Sequence, residues 1–354
     1  MLELIQKAGQ ELAQGRSLAW VVVISSRGST PRGAGARMLV TSAGGIHGSI
    51  GGGTLEARAV EKGLQAIRNR RAMRFDFDLS AEDAAAMGMV CGGEVTVLIT
   101  PIPAGAASLG LFAGLSALLG RGIESILLTR LSLEEDGSLK RAASGLWNVK
   151  TGATEGMDSI QVDALEMHDA LQSRRPRLLE FTDHVLVLEP FFPEERLIVF
   201  GAGHVGTALA RLASQVGFQI QVCDDRKDFL TSGRFPKGAV AQHVQSFKDC
   251  LKNLDVSRET SVVILTRGHL HDQEVLEQVL KTPAAYIGMI GSRRKRDAIY
   301  KNLLDRGITR ADLDRVHCPV GLSIGAQTPE EIGVSIVAEL IAERAGRRKG
   351  ERIG

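Results

Sequence analysis

Gly201, Gly203 and Gly206 form a Gly-x-Gly-x-x-Gly turn, a spacing that suits the diphosphate of a nucleotide. Glycines let the backbone approach the anion, His204 stands within the turn, and the helix that starts at Thr207 turns its positive end toward it. The apolar run Leu197–Phe200 leads into the turn as a buried parallel strand. A second strand, Gln219–Cys223, ends in Asp224, which is placed to accept from a ribose hydroxyl. Strand, glycines, helix, strand and acid in that order specify the fold. They do not establish a redox cofactor, because the same unit exists with an empty or altered site.

Other residue types invite chemistry elsewhere. Cys91 lies in Cys91-Gly92-Gly93-Glu94, a turn between a short helix opened by Ser80 and the strand Glu94–Thr100. A thiol on such a loop can react or hold a soft metal or a sulfur atom; inside an element it would pack as a small hydrophobe. Arg32 and Arg37 bring cations to a Gly- and Ser-rich loop between the strands Ala19–Ile24 and Arg37–Thr41. Gly51, Gly52 and Gly53 precede the helix Leu55–Asn69, as a second anion seat or as a tight turn that needs positive φ. After the strand Ser261–Thr266 come His269, His271 and Asp272. These touch a ligand, or else Asp272 caps the next helix and the histidines are solvated. Alone they are too few for a metal centre, so no metal site is assigned. Gly291, Ser292 and Arg293 open a helix with four cations in its first turn, Arg293–Arg296. Such a run opposes the helix dipole, so either an anion sits there or the face is a solvated basic one.

These residues need two kinds of scaffold. The seam is Leu188–Glu195, where two prolines and an acidic pair follow the strand Val185–Leu188. Residues 1–193 read as a mixed α/β domain. In residues 194–354 strands and helices alternate, which predicts a Rossmann-like, doubly wound parallel sheet. The fold class is therefore α/β in both halves. A length of 354 residues accommodates two domains. Net charge of +2 and 4% aromatic residues argue against a nucleic-acid partner. No apolar run reaches membrane-spanning length and the first residues carry no signal pattern, so a cytoplasmic protein with free thiols is expected. The commonness of two-fold assemblies makes a homodimer the default expectation.

The motifs together resemble the XdhC/CoxI family, the xanthine dehydrogenase accessory factors. The matching stretches are Gly28-Ser-Thr-Pro-Arg32 with Arg37-Met38, Gly48-x-Ile-Gly-Gly-Gly53 with Glu56, and Cys91-Gly-Gly-Glu94. They continue with Val199–Gly206, Thr266-Arg-Gly-His269, Tyr286–Arg294 and His317–Gly325. They run in family order over nearly the whole chain, with little in Ala104–Arg177. The resemblance implies a protein that binds molybdenum cofactor (molybdopterin, or its dinucleotide form) and supports its sulfuration by a cysteine desulfurase. It implies delivery to an apo molybdenum hydroxylase, and it adds Glu56 to the candidate contacts. Cys318 stands where the family commonly has a small residue, so it takes no family role. The alternative is an NAD(P)-dependent oxidoreductase built on the Rossmann half, against which no acid–base pair stands out beside the nicotinamide site.

Overall fold

In the computed structural model, described for residues 1–78, 93–135, 138–156, 162–231 and 233–349, the chain divides into two compact units, Met1–Pro193 and Glu194–Gly354. The helix expected after Ser80 and the turn with Cys91 lie outside the described residues.

In the first unit, six consecutive apolar residues, Leu18–Val23, are all buried, too dense a run for a sheet with one wet face. They open β1 (Leu18–Gly28), with β2 (Arg37–Thr41) on one side and β5 (Gly93–Ile102) on the other. β3 (Ile46–Gly48) and β4 (Met73–Asp78) complete an antiparallel sheet of order β3-β2-β1-β5-β4. A second antiparallel sheet contains β6 (Ser125–Leu133), β7 (Leu139–Asn148), β8 (Thr154–Glu155), β9 (Arg177–Glu180) and β10 (His184–Phe191), in the order β8-β7-β6-β10-β9. Leu12 of α1 (Leu2–Ala13), Trp20, Phe112 of α3 (Ala106–Gly120), Leu127 and Phe191 share one core, so these two helices bury against both sheets. α2 (Gly53–Asn69) packs Leu55 and Ala59 on Val21, Met38 and Val97, and α4 (Ala164–Ser173) packs Met167 and Ala170 on Ile126 and Leu186.

One buried carboxylate fastens the two sheets. Glu189 Oε2 accepts from Trp20 Nε1 at 3.1 Å and from Arg37 Nε at 3.0 Å. Arg37 also donates to the Gly35 and Pro190 carbonyls and lies 4.3 Å from the Phe191 ring centroid. The expectation that Arg37 meets an external anion is thereby corrected: its guanidinium is spent inside the unit. The last strand of the unit, expected to end at Leu188, runs longer. β10 continues through Glu189 and Pro190 to Phe191, because β9 has ended by then and the missing proline N–H leaves no rung of its ladder unmade.

The second unit is a doubly wound parallel sheet of order β13-β12-β11-β14-β15-β16. Its strands are β11 (Arg196–Phe200), β12 (Gln219–Asp224), β13 (Val240–His243), β14 (Thr260–Ile264), β15 (Tyr286–Met289) and β16 (Val316–His317). α5 (His204–Gln215) and α9 (Pro329–Lys349) cover one face through Leu209, Ala213, Ile336 and Leu340. α6 (His269–Val279) and α7 (Arg293–Asp305) cover the other through Val275, Leu276, Ile299 and Leu303; α8 (Arg310–Leu313) is short. Thr328 and Glu331 form a capping box at the start of α9: Glu331 N donates to Thr328 Oγ1 at 3.2 Å and Thr328 N to Glu331 Oε2 at 3.0 Å. Strand order reverses between β11 and β14, and ligands of such sheets bind in the crevice beyond that point. No helix among the described residues is long and apolar enough to cross a membrane.

Candidate functional site

The three glycines of the β11–α5 turn differ in what requires them. A Cβ on Gly201 would stand 2.3 Å from Leu265 O, and one on Gly206 would stand 1.9 Å from Gly201 O. Close backbone packing therefore requires both. Gly203 has an ordinary φ of −69°, and a Cβ there would meet nothing within 4 Å. Neither conformation nor packing accounts for a glycine at this position. His204 follows as the first helical residue, with its ring exposed.

At the end of β12, Asp224 is 1% exposed and fully engaged. Its Oδ2 accepts from Ala202 N at 2.7 Å and Arg226 Nη2 at 2.9 Å, its Oδ1 from Arg226 N and Nε at 2.9 Å each. The expectation that it accepts from a ribose hydroxyl is corrected, because its lone pairs are already used. Burial pushes its pKa up, but Arg226 and the two amides draw it down from 3.8 to about 2. A depressed carboxylate stabilises the fold above its unfolded pKa and stops doing so as pH falls through the folded one. The stability advantage of wild type over Asp224→Asn should therefore shrink by about 2 kcal/mol between pH 5 and pH 2, measured by urea unfolding. A pH-independent difference would contradict the pairing. Beyond Asp224, the Arg226 guanidinium lies 3.7 Å from the Phe229 ring centroid and that of Arg234 4.9 Å from the same ring.

At the end of β14 stands a pair that the sequence reading missed. Asp272 has no exposed surface; Oδ1 accepts from Thr266 Oγ1 at 2.5 Å and Oδ2 accepts from Lys295 Nζ. Lys295 Nζ also donates to Ile290 O at 3.3 Å. Burial pushes the Asp272 pKa up in spite of these donors. Asp272 is thus no helix cap; Gly268 takes that place, and α6 begins at His269. His269 and Arg293 are exposed, while His271 Nδ1 lies 3.2 Å from Glu274 Oε2. Ser292 caps α7 by accepting from Lys295 N, and the absence of a Cβ on Gly291 leaves room for Lys295 to turn inward. The basic run is therefore divided: Lys295 points into the unit, Arg296 pairs with Asp297, and Arg293 and Arg294 are exposed. A Cβ on Gly201 would also lie 3.1 Å from Thr266 N, so the glycine turn and the Asp272–Lys295 pair adjoin at the reversal of strand order. No spacing rule joins an acid to a cation 23 residues away on the next crossover helix.

In the first unit, Gly51, Gly52 and Gly53 all have positive φ, as the turn reading requires. Their anion seat is filled by the chain itself. Glu56 Oε1 accepts from Ser49 Oγ and from the amides of Ile50, Gly51 and Gly52 at 2.7–3.2 Å. Burial pushes its pKa up, and these donors outweigh that and hold it below the ordinary carboxylate value. The Glu56 carboxylate is therefore an internal anion. Nearby, Lys7, Arg32, His47 and Ser49 line an open groove of about 700 Å³. The described cysteines, Cys223, Cys250 and Cys318, are buried, which pushes their thiols up to about 12, 12 and 11. Among the described residues no three His, Cys, Asp or Glu side chains are gathered as metal ligands.

Residues 197–340 match the XdhC Rossmann domain, and residues 11–78 match the XdhC and CoxI family. The molybdenum cofactor insertion chaperone PaoD of Escherichia coli (strain K12) is 21% identical over 347 residues, 96% of this chain and 88% of PaoD. The uncharacterized protein YqeB of the same organism is 27% identical over 340 residues, 96% of this chain, which spans only 46% of YqeB. The crystal structure of a xanthine dehydrogenase from Bacillus halodurans superposes with a TM-score of 0.78 at 26% identity, covering 99% of this chain and 98% of that one.

Proposed function

The chain belongs to the XdhC and CoxI family, and from that premise we propose that it is an accessory protein that carries molybdenum cofactor as cargo. It supports sulfuration of that cargo by a cysteine desulfurase and delivers it, in the cytoplasm, to an apo molybdenum hydroxylase of the xanthine or aldehyde dehydrogenase type. The near full-length likeness to a protein named as an insertion chaperone carries this reading.

The chemistry of both units is compatible with it. The cofactor is a pterin with a phosphate, or with a pyrophosphate and nucleoside. The groove beside Arg32 and Lys7 has the size of a small-molecule site and the charge to attract a phosphate. The open backbone at Gly203 suits a pyrophosphate. A thiol is a fitting ligand for molybdenum or carrier for sulfur, but only as thiolate. The three described thiols are buried with raised pKa values, which leaves Cys91 as the proposed contact.

The full chain, purified from a cofactor-producing host, should carry the pterin by absorbance and mass spectrometry. Cys91→Ala should fold normally and lower cofactor retention and client activation by at least roughly tenfold, the lower end of what outer-shell losses cost at metal sites. Iodoacetamide should label Cys91 first in the native protein. Wild-type activation of the client by Cys91→Ala, or first labelling of another cysteine, would overturn the assignment.

A second reading, an NAD(P)-dependent oxidoreductase, is favoured by one observation: the Asp272–Lys295 pair adjoining the glycine turn. Hydride transfer needs a positioned acid or cation beside the acceptor carbon, and a lysine anchored at the strand-order reversal is of that type.

A further inference from the structure

We infer that the nucleotide seat at the end of β12 reads a phosphate on the ribose, and not the ribose's free hydroxyls. The inference rests on the nucleotide reading of the glycine turn and concerns a ligand other than the cargo dinucleotide, whose ribose carries no further phosphate. A ribose diol is held in such folds by a carboxylate with free lone pairs. The acid here has none to offer. Asp224 is 1% exposed and takes four hydrogen bonds, two of them from the fork of Arg226. A bidentate pair at this burial is not undone by two neutral hydroxyls, because charge-assisted bonds are the stronger ones and the buried carboxylate would lose its counter-ion. Its neighbour Asp225 is engaged as well, with Arg267 Nη2 at 3.1 Å.

What the strand end presents instead is cationic and aromatic. Arg226 is only partly buried, and its Nε and Nη2 face Asp224, which leaves Nη1 for an outside acceptor. Its guanidinium rests on Phe229, and Arg234 approaches the same ring. Arg234 reaches back to the glycine turn, donating from Nη2 to Ala202 O at 3.0 Å and to Thr207 Oγ1 at 3.2 Å. Two guanidiniums thus span the distance from the diphosphate seat to the ribose seat. A planar fork with free N–H groups recognises phosphate, and an arginine in this place accommodates a ribose phosphate. The ligand class is a nucleoside diphosphate derivative that carries a further phosphate on its ribose.

The test titrates the full chain with ADP-ribose, its 2′-phosphate and its 3′-phosphate by calorimetry at low salt. One phosphorylated form should bind roughly tenfold to a hundredfold more tightly than ADP-ribose, the value of one or two hydrogen bonds to a charged group. Removing Arg226 outright would strand the buried Asp224, so two milder variants are used. Arg226→Lys keeps the charge and loses the fork, and Arg234→Gln leaves the Asp224 pair intact. Each should lower the preference for the phosphorylated form by about threefold or more. Equal affinity for all three ligands, or an unchanged preference in both variants, would overturn this inference alone. No binding of any of the three would overturn the nucleotide reading with it.

Discussion

Gly203→Asp should abolish nucleotide binding by the second unit and leave its fold in place. The middle glycine has an ordinary φ and open space where a Cβ would stand, so the folded chain accepts a side chain there. The melting temperature should stay within roughly 2 °C of wild type, as for other exposed substitutions. The carboxylate would stand where a diphosphate must lie. Like charges so placed cost several kcal/mol, so affinity should fall by at least roughly a hundredfold. Gly206→Ala is the matching contrast. Its methyl would lie 1.9 Å from Gly201 O, between strand and helix, and the unit should lose on the order of 3 kcal/mol or fail to fold. Calorimetry and thermal unfolding of the two variants separate the roles. Full affinity in Gly203→Asp would remove the turn from any ligand site, and wild-type stability in Gly206→Ala would contradict the packing described here.

Lys295→Met should be among the most destabilising single changes in the second unit. It leaves Asp272 charged, without exposed surface and with only Thr266 as donor. Stranding one partner of a buried pair costs about 3–5 kcal/mol. The double variant with Asp272→Asn removes the stranded charge and should recover at least half of that loss, read from urea unfolding. Additive losses would show that the two groups do not act as a pair. The same variant separates the two functional readings. NADH or NADPH mixed with aldehydes, ketones and purines should show no turnover by the wild-type chain. Steady oxidation that vanishes in both Gly203→Asp and Lys295→Met would promote the oxidoreductase reading over the cargo reading.

Much of the second unit was legible from residue order. β11, the glycine turn, α5 and β12 follow from four apolar residues, three glycines and a periodic run, because a parallel strand and its crossover helix are defined within about thirty residues of chain. The first unit was legible in its strands and less so in its short elements. β3 and β8, of 3 and 2 residues, carry too little pattern to be read without their partners. α1 did carry a signal, with Leu4, Ile5, Ala8 and Leu12 buried at helical spacing, and the sequence reading did not use it.

The sequence alone determined the parallel sheet, the turn suited to a diphosphate, the Thr328–Glu331 capping box, and family membership, since each rests on residues close together or in a set order. Only the tertiary structure decided which charges are free. Asp224, Glu56 and Arg37 all have the residue type of a ligand contact, and each is satisfied from within, by Arg226, by the Ser49–Gly52 loop and by Glu189. Arg37 and Glu189 are 152 residues apart, and Asp272 and Lys295 are 23 apart on different helices. Whether a charged group meets a ligand or a neighbour depends on which chain segments burial brings to it, because an unpaired charge out of water is too costly to persist. That partner is chosen by packing across sheets and crossovers, and no local spacing encodes it.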